Sequence, residues 1–195
     1  MPDRLRRLWP LLALIVALVL VAAAADVAPG VVSRRITQGL IYLVAVVGLY
    51  VFAGNSGVLS FGNVAFMAIG AYTSALLTMP AAAKSVFLPD LPSILASAHW
   101  PVLGGALAGG AVAALIAAVV GFPLMRLSGI SASIATFAFL VVTTVILGNW
   151  SSVTGGQNSL MGLPIYVGPW TAAGAAALAV AIAFAYQESR SGLRR

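Results

Sequence analysis

The chain has 195 residues, of which 62% are hydrophobic and only 7% charged, with a net charge of +6. Soluble domains carry about 25% charged residues, so a soluble hydrolase, a disordered chain and a collagen-like repeat are excluded together. There is no Cys, which excludes a disulfide, and one His (His99) and four acids (Asp3, Asp26, Asp90, Glu188) leave almost no material for a metal centre or a catalytic constellation. The ten basic residues are scattered through apolar sequence and form no nucleic-acid patch. Their meaning has to be sought in the loops of a membrane protein.

A hydrocarbon core about 30 Å thick needs about 20 apolar residues as a helix, and a helix satisfies its own backbone there. Six such runs occur, at about 9–25, 36–53, 60–79, 101–123, 129–148 and 169–187. The expected fold is therefore an all-α integral membrane protein of about six transmembrane helices. The first run follows a basic Met1–Arg7 stretch and ends in Ala22-Ala23-Ala24-Ala25-Asp26, which would suit signal peptidase. Its length and the five runs that follow favour an uncleaved first helix. The connections are Asp26–Arg35 with Pro29 and Gly30, and Pro80–Trp100 with Lys84, Pro89, Asp90, Pro92 and His99. A tight Phe122–Gly129 turn and a Gly-rich Asn149–Gly168 loop complete them. With both termini cytoplasmic, Arg4, Arg6, Arg7, Arg126, Arg190, Arg194 and Arg195 lie inside, and Arg34, Arg35 and Lys84 outside. That seven-to-three bias favours cytoplasmic N- and C-termini.

The span interiors hold no clear charge, and so no proton relay or voltage sensor. They hold small and polar residues instead. Gly104, Gly105, Gly109 and Gly110 form a small-residue stripe with one GxxxG pair, Gly105 with Gly109, continued by Ala114 and Ala118, a pattern for close helix packing. On the third run Ser60, Asn63, Met67, Gly70 and Ser74 recur at steps of three and four. That face turns toward protein or a water-filled path, since an amide facing lipid would leave its hydrogen bonds unmade. An interhelical Asn63 hydrogen bond is the simplest account, and a pathway lining is the alternative. The fifth run repeats the theme with Ser133, Thr136 and Thr143, whose hydroxyls can also bond back to their own helix. Gly155-Gly156 is no phosphate cradle, because no Lys or strand–helix setting accompanies it. Trp150 and Trp170 bracket the last loop as interfacial anchors.

The segment Gly54-Asn55-Ser56-Gly57-Val58-Leu59-Ser60-Phe61-Gly62-Asn63-Val64-Ala65-Phe66-Met67-Ala68-Ile69-Gly70-Ala71-Tyr72-Thr73 resembles the G-x-x-G-x-L-S-x-G-x-x-A-F-x-x-I-G-A-Y-T signature of branched-chain amino acid ABC transporter permeases. Two further stretches are similar to the M-type subunit of that family: Arg126-Leu127-Ser128-Gly129-Ile130 through Ala135-Thr136-Phe137-Ala138-Phe139, and Asn149-Trp150 with Thr154-Gly155-Gly156 and Gly162-Leu163-Pro164. Order and spacing agree from about residue 36 onward. The chain departs at Asn63, where the family carries His or Gln, and at Asn158-Ser159, where Gly is usual.

The resemblance implies a permease of the bacterial inner membrane for branched-chain amino acids, or alternatively for urea or short amides. It implies a second permease subunit, two cytoplasmic ABC ATPases that bind the ATP, and a periplasmic amino-acid-binding protein. The chain itself is expected to hold no cofactor, no catalytic residue and no metal. Residues 1–195 read as one permease domain, with Ser189–Arg195 at the entrance to the family's ATPase-coupling loop. On that reading the chain is truncated, or the remainder is encoded elsewhere, and these residues alone would not hold the ATPase. A non-transporting membrane scaffold is the alternative of another class.

Overall fold

The structure is a computed structural model and describes residues 2–56, 60–124, 126–156, 160 and 167–188. Among these residues every regular element is a helix: α1 Pro2–Val27, α2 Gly30–Ser56, α3 Gly62–Thr78, α4 Ala81–Phe87, α5 Ser93–Ala96, α6 Val102–Leu124, α7 Ile130–Asn149, α8 Ser151–Thr154 and α9 Pro169–Glu188. Five apolar stretches are long enough to cross a membrane: Trp9–Val27, Gly30–Gly54, Val102–Leu124, Ile130–Asn149 and Pro169–Gln187.

The third expected span differs from the other five. It folds as α3, whose 17 residues reach about 25 Å, and the chain then bends by 115° into α4. Pro80 is the cause. A residue before proline is pushed out of the helical region, and Met79 is extended at ψ 132°. The run from Pro80 to Trp100, expected as a plain connection, therefore contains α4 and α5.

The chain divides into two compact units. Unit 1 comprises Met1–Ser56 and Val167–Arg195. Within it α1 turns into α2 through Ala28 and Pro29, whose carbonyl accepts from the N–H groups of Val32 and Ser33 at 2.8 and 3.0 Å. Pro29 suits that place because a helix start has no use for its missing N–H. The core is small-residue packing: Leu18 and Ala22 of α1, Leu40 of α2, and Ala172, Ala173 and Ala176 of α9. Alanine lets backbones approach closely, which is how helices associate in lipid. The Ala22–Ala25 stretch that suits signal peptidase lies inside α1, with both of those alanines fully buried. At the same end, Trp170 donates its indole N–H to Asp26 Oδ2 at 3.3 Å, tying the start of α9 to the end of α1.

Unit 2, Gly57–Tyr166, is built on α3. Helix α6 packs antiparallel to it, and α7 runs beside its N-terminal half. At the far end of α3 a second small core joins Leu76 and Met79 to Leu88 and Leu91, with Leu95, Val153 and Leu160 against it. The 80–100 segment thus forms a folded cap over α3. It is fastened by the Trp100 N–H donating to the Leu77 carbonyl at 2.8 Å.

Candidate functional site: a packed helix face in unit 2

Three of the sequence features meet around α3. First, its N-terminus sits on α7. The Phe61 N–H donates to Thr136 Oγ1 at 3.3 Å, and that hydroxyl donates to the Ser133 carbonyl at 2.9 Å. Ser60, Gly62 and Thr136 are buried together, and a Cβ at Gly62 would lie 3.6 Å from Thr136 Cβ. Phe61 meets Phe137 edge-on at 5.7 Å, and Phe66 meets Phe139 at 5.1 Å. The first two resembling segments, 75 residues apart at the Phe61–Thr136 bond, are therefore neighbours in space.

Second, the polar stripe of α3 turns to α6, though not as a whole. A Cβ at Gly70 would lie 3.3 Å from the Gly109 carbonyl oxygen, and one at Gly109 only 2.5 Å from the Gly70 carbonyl oxygen. Ser74 lies against Gly105 and Gly109. Of the four glycines it is Gly105 and Gly109, continued by Ala113, that pack on α3, whereas Gly110 has open space around it. Asn63 and Ser133 are half-buried, and Thr143 is buried with its hydroxyl donating to the Phe139 carbonyl at 2.8 Å. Met67 leaves the stripe and is 46% exposed. Tyr72 is half-buried, whereas Ala71 is exposed. Gly54, also exposed, lies near the end of α2. Gly57, Asn158, Ser159, Gly162–Pro164 and the Ser189–Arg195 tail lie outside the described residues.

Third, the Thr-Gly-Gly triplet is a turn locked to the end of α7. Thr154 is fully buried, and its single hydroxyl hydrogen is shared between the carbonyls of Leu147 at 2.5 Å and Trp150 at 2.8 Å. Its oxygen accepts from the Gly156 N–H at 3.3 Å. Gly155 and Gly156 both have positive φ, 75° and 64°, which favours glycine at each place. Gly129 opens α7 at φ 57°, another glycine-favouring position. Just before it, the Arg126 guanidinium stands 4.9 Å over the Phe122 ring.

Sequence reasoning missed Lys84, which it grouped with the loop charges. This only lysine of the chain is 1% exposed. Its ammonium donates to the Leu95 carbonyl at 2.7 Å and to the Ala98 carbonyl, at the C-terminal end of α5. Helix C-termini leave such carbonyls without intrahelical partners, and a Lys can satisfy them. Burial pushes its pKa below the usual 10.5. The unfolded chain holds that proton more tightly, so the cap gains stability as pH rises from the lowered value toward 10.5. Asp90 and His99 are exposed. No group of three metal-binding side chains occurs among the described residues.

The chemistry available is thus hydroxyls, an amide and close backbone contacts inside apolar helices. High-affinity branched-chain amino acid transport system permease protein LivM from Salmonella typhimurium is 34% identical over 128 residues. The LivM protein of Escherichia coli matches at the same identity and length. The match covers 66% of this chain and 26% of each LivM, so the chain spans only part of the length of these relatives. No solved structure matches the chain. Residues 31–186 match the family described as branched-chain amino acid transport system, permease component, and with α3, α6, α7 and nearly all of α2 and α9 inside that range the chain belongs to this family of multi-pass membrane proteins.

Proposed function

We propose that the chain is a permease subunit of an ABC importer for branched-chain amino acids and forms part of its translocation pathway. The observation that carries the reading is the family match over residues 31–186, together with the Phe61–Thr136 contact that joins the first two signature segments. On this reading the subunit sits in the bacterial inner membrane beside a second permease. Two cytoplasmic ATPases supply ATP hydrolysis, and a periplasmic amino-acid-binding protein delivers the substrate. Ser60 and the α3 residues Asn63, Gly70 and Ser74, with Ser133, Thr136 and Thr143 of α7, then serve packing beside the pathway or line it. Uptake of labelled leucine, isoleucine and valine tests the reading in cells carrying the neighbouring transport genes. Deletion of this gene is expected to lower uptake to background and its return to restore it; uptake indifferent to the deletion overturns the proposal.

Orientation is tested separately, because the chain has no native Cys to interfere. Cysteines placed at Gly30 and Ser97 are expected to react with an impermeant thiol reagent from outside, and one at Ser128 is not. The basis is the excess of arginine on the Ser128 side. Labelling of Ser128 with protection at Ser97 would invert the topology.

A further inference from the structure

The cap formed by residues 80–100 distributes polarity unlike an element surrounded by water. Its only lysine is turned inward, while Val86 is 71% exposed, Phe87 45%, Ile94 83% and Trp100 48%. In water a seven-residue helix such as α4 would gain by exposing the ammonium and covering Val86 and Phe87, since hydrophobic burial is the main favourable term and charge burial is costly. The observed arrangement is favourable where apolar side chains meet lipid.

Two further observations favour lipid beside the cap. The segment has no slack at either end. It leaves α3 through a single break at Met79–Pro80 and returns with the Trp100 N–H bonded to Leu77 near the same end of α3. It therefore stays at the level where α3 ends and α6 begins, and the 115° bend carries α4 across the end of α3 and not onward from it. The exposed apolar surface also continues from Trp100 into the first turns of α6 through Val102, Leu103 and Leu107, all exposed. Trp is enriched where a membrane meets water. Asp90, Ser93, Ser97 and His99 are exposed as well, and these are the side chains that a headgroup and water layer would accept. Apolar and polar groups exposed on one short element are the mark of an interfacial segment.

We propose that the α4–α5 cap is seated in the membrane interface, with Val86, Phe87 and Ile94 in contact with phospholipid acyl chains and Asp90 and Ser97 in the headgroup and water layer. The carbonyl-bound Lys84 holds the cap in the shape that presents these residues.

Site-directed spin labelling of the full chain tests this. Single cysteines at Val86, Phe87, Ile94, Asp90 and Ser97 would each carry a nitroxide in vesicles of phosphatidylcholine and phosphatidylglycerol. Collision with oxygen, which concentrates in lipid, is compared with collision with a water-soluble nickel chelate. The oxygen-to-nickel ratio is expected to be at least about threefold higher at positions 86, 87 and 94 than at 90 and 97, as for an interfacial segment. Equal ratios at all five positions would show that the cap stands in water. Low collision with both reagents at 86, 87 and 94 would show that protein covers it. Either result overturns the proposal. An amine at Lys84 that stays unreactive in each labelled variant confirms that the cap is intact, and the three lipid-facing positions make the result independent of any one substitution.

Discussion

Replacing Gly109 by leucine is expected to separate α3 from α6 and to destabilise unit 2 by about 3 kcal/mol, the upper part of the range for overpacked cores. The first atom added already has no room, because a Cβ there would stand 2.5 Å from the Gly70 carbonyl oxygen and 3.2 Å from Ser74 Cβ. The nearer of those atoms is backbone and cannot move aside without shifting α3. Gly105, one turn earlier on α6, has no spare room either, because a Cβ there would press on the Thr78 side chain. The control is Gly110→Leu one residue along, where nothing lies within 4 Å. Surface substitutions of that kind stay within about 0.5 kcal/mol. Unfolding of the two purified variants by SDS in mixed micelles measures the difference. Equal midpoints would mean that α3 and α6 do not pack through Gly109.

Lys84→Glu is expected to be the most damaging single change in the cap. It would bring a carboxylate against the Leu95 and Ala98 carbonyls that the ammonium now satisfies. Leaving a buried charge without its partner costs about 3–5 kcal/mol, enough to open a segment whose own core has four buried residues, Leu76, Met79, Leu88 and Leu91. Lys84→Met keeps much of the side-chain volume and loses only the donors, so about 1–3 kcal/mol is expected for the orphaned carbonyls. Hydrogen exchange reads the result at the Leu88 and Ser97 amides, which donate to the Lys84 and Ser93 carbonyls. Both should lose protection in Lys84→Glu and keep part of it in Lys84→Met. The wild-type chain supplies an independent check. Lys84 is its only lysine, so amine acylation should stop at the N-terminus until the protein is denatured. Rapid acylation of native Lys84, or unchanged exchange in Lys84→Glu, would contradict the buried ammonium.

The positions of α1, α2, α6, α7 and α9 were legible in the sequence because hydropathy is a local property: about 20 apolar residues have few alternatives to a spanning helix. The breaks at Pro29 and Pro80 and the glycines at 129, 155 and 156 were local for the same reason, being constraints on φ or on a single N–H. The permease family was legible as well, from motif order along the chain. What only the tertiary structure decided is which equivalent feature is used. Gly104, Gly105, Gly109 and Gly110 offer more than one small-residue face on α6, and the register with Gly70 and Ser74 of α3 selects Gly105 and Gly109. The periodic face of α3 likewise did not reveal that Met67 would leave it while Gly70 and Ser74 meet α6. Lys84 was counted with the basic residues of the outer loops, and a buried lysine is rare. Its burial depends on two carbonyls that lie 11 and 14 residues further along the chain. Those carbonyls become a site for an ammonium only when the bend after α3 folds the cap back on itself, and no pattern of neighbouring residues carries that information.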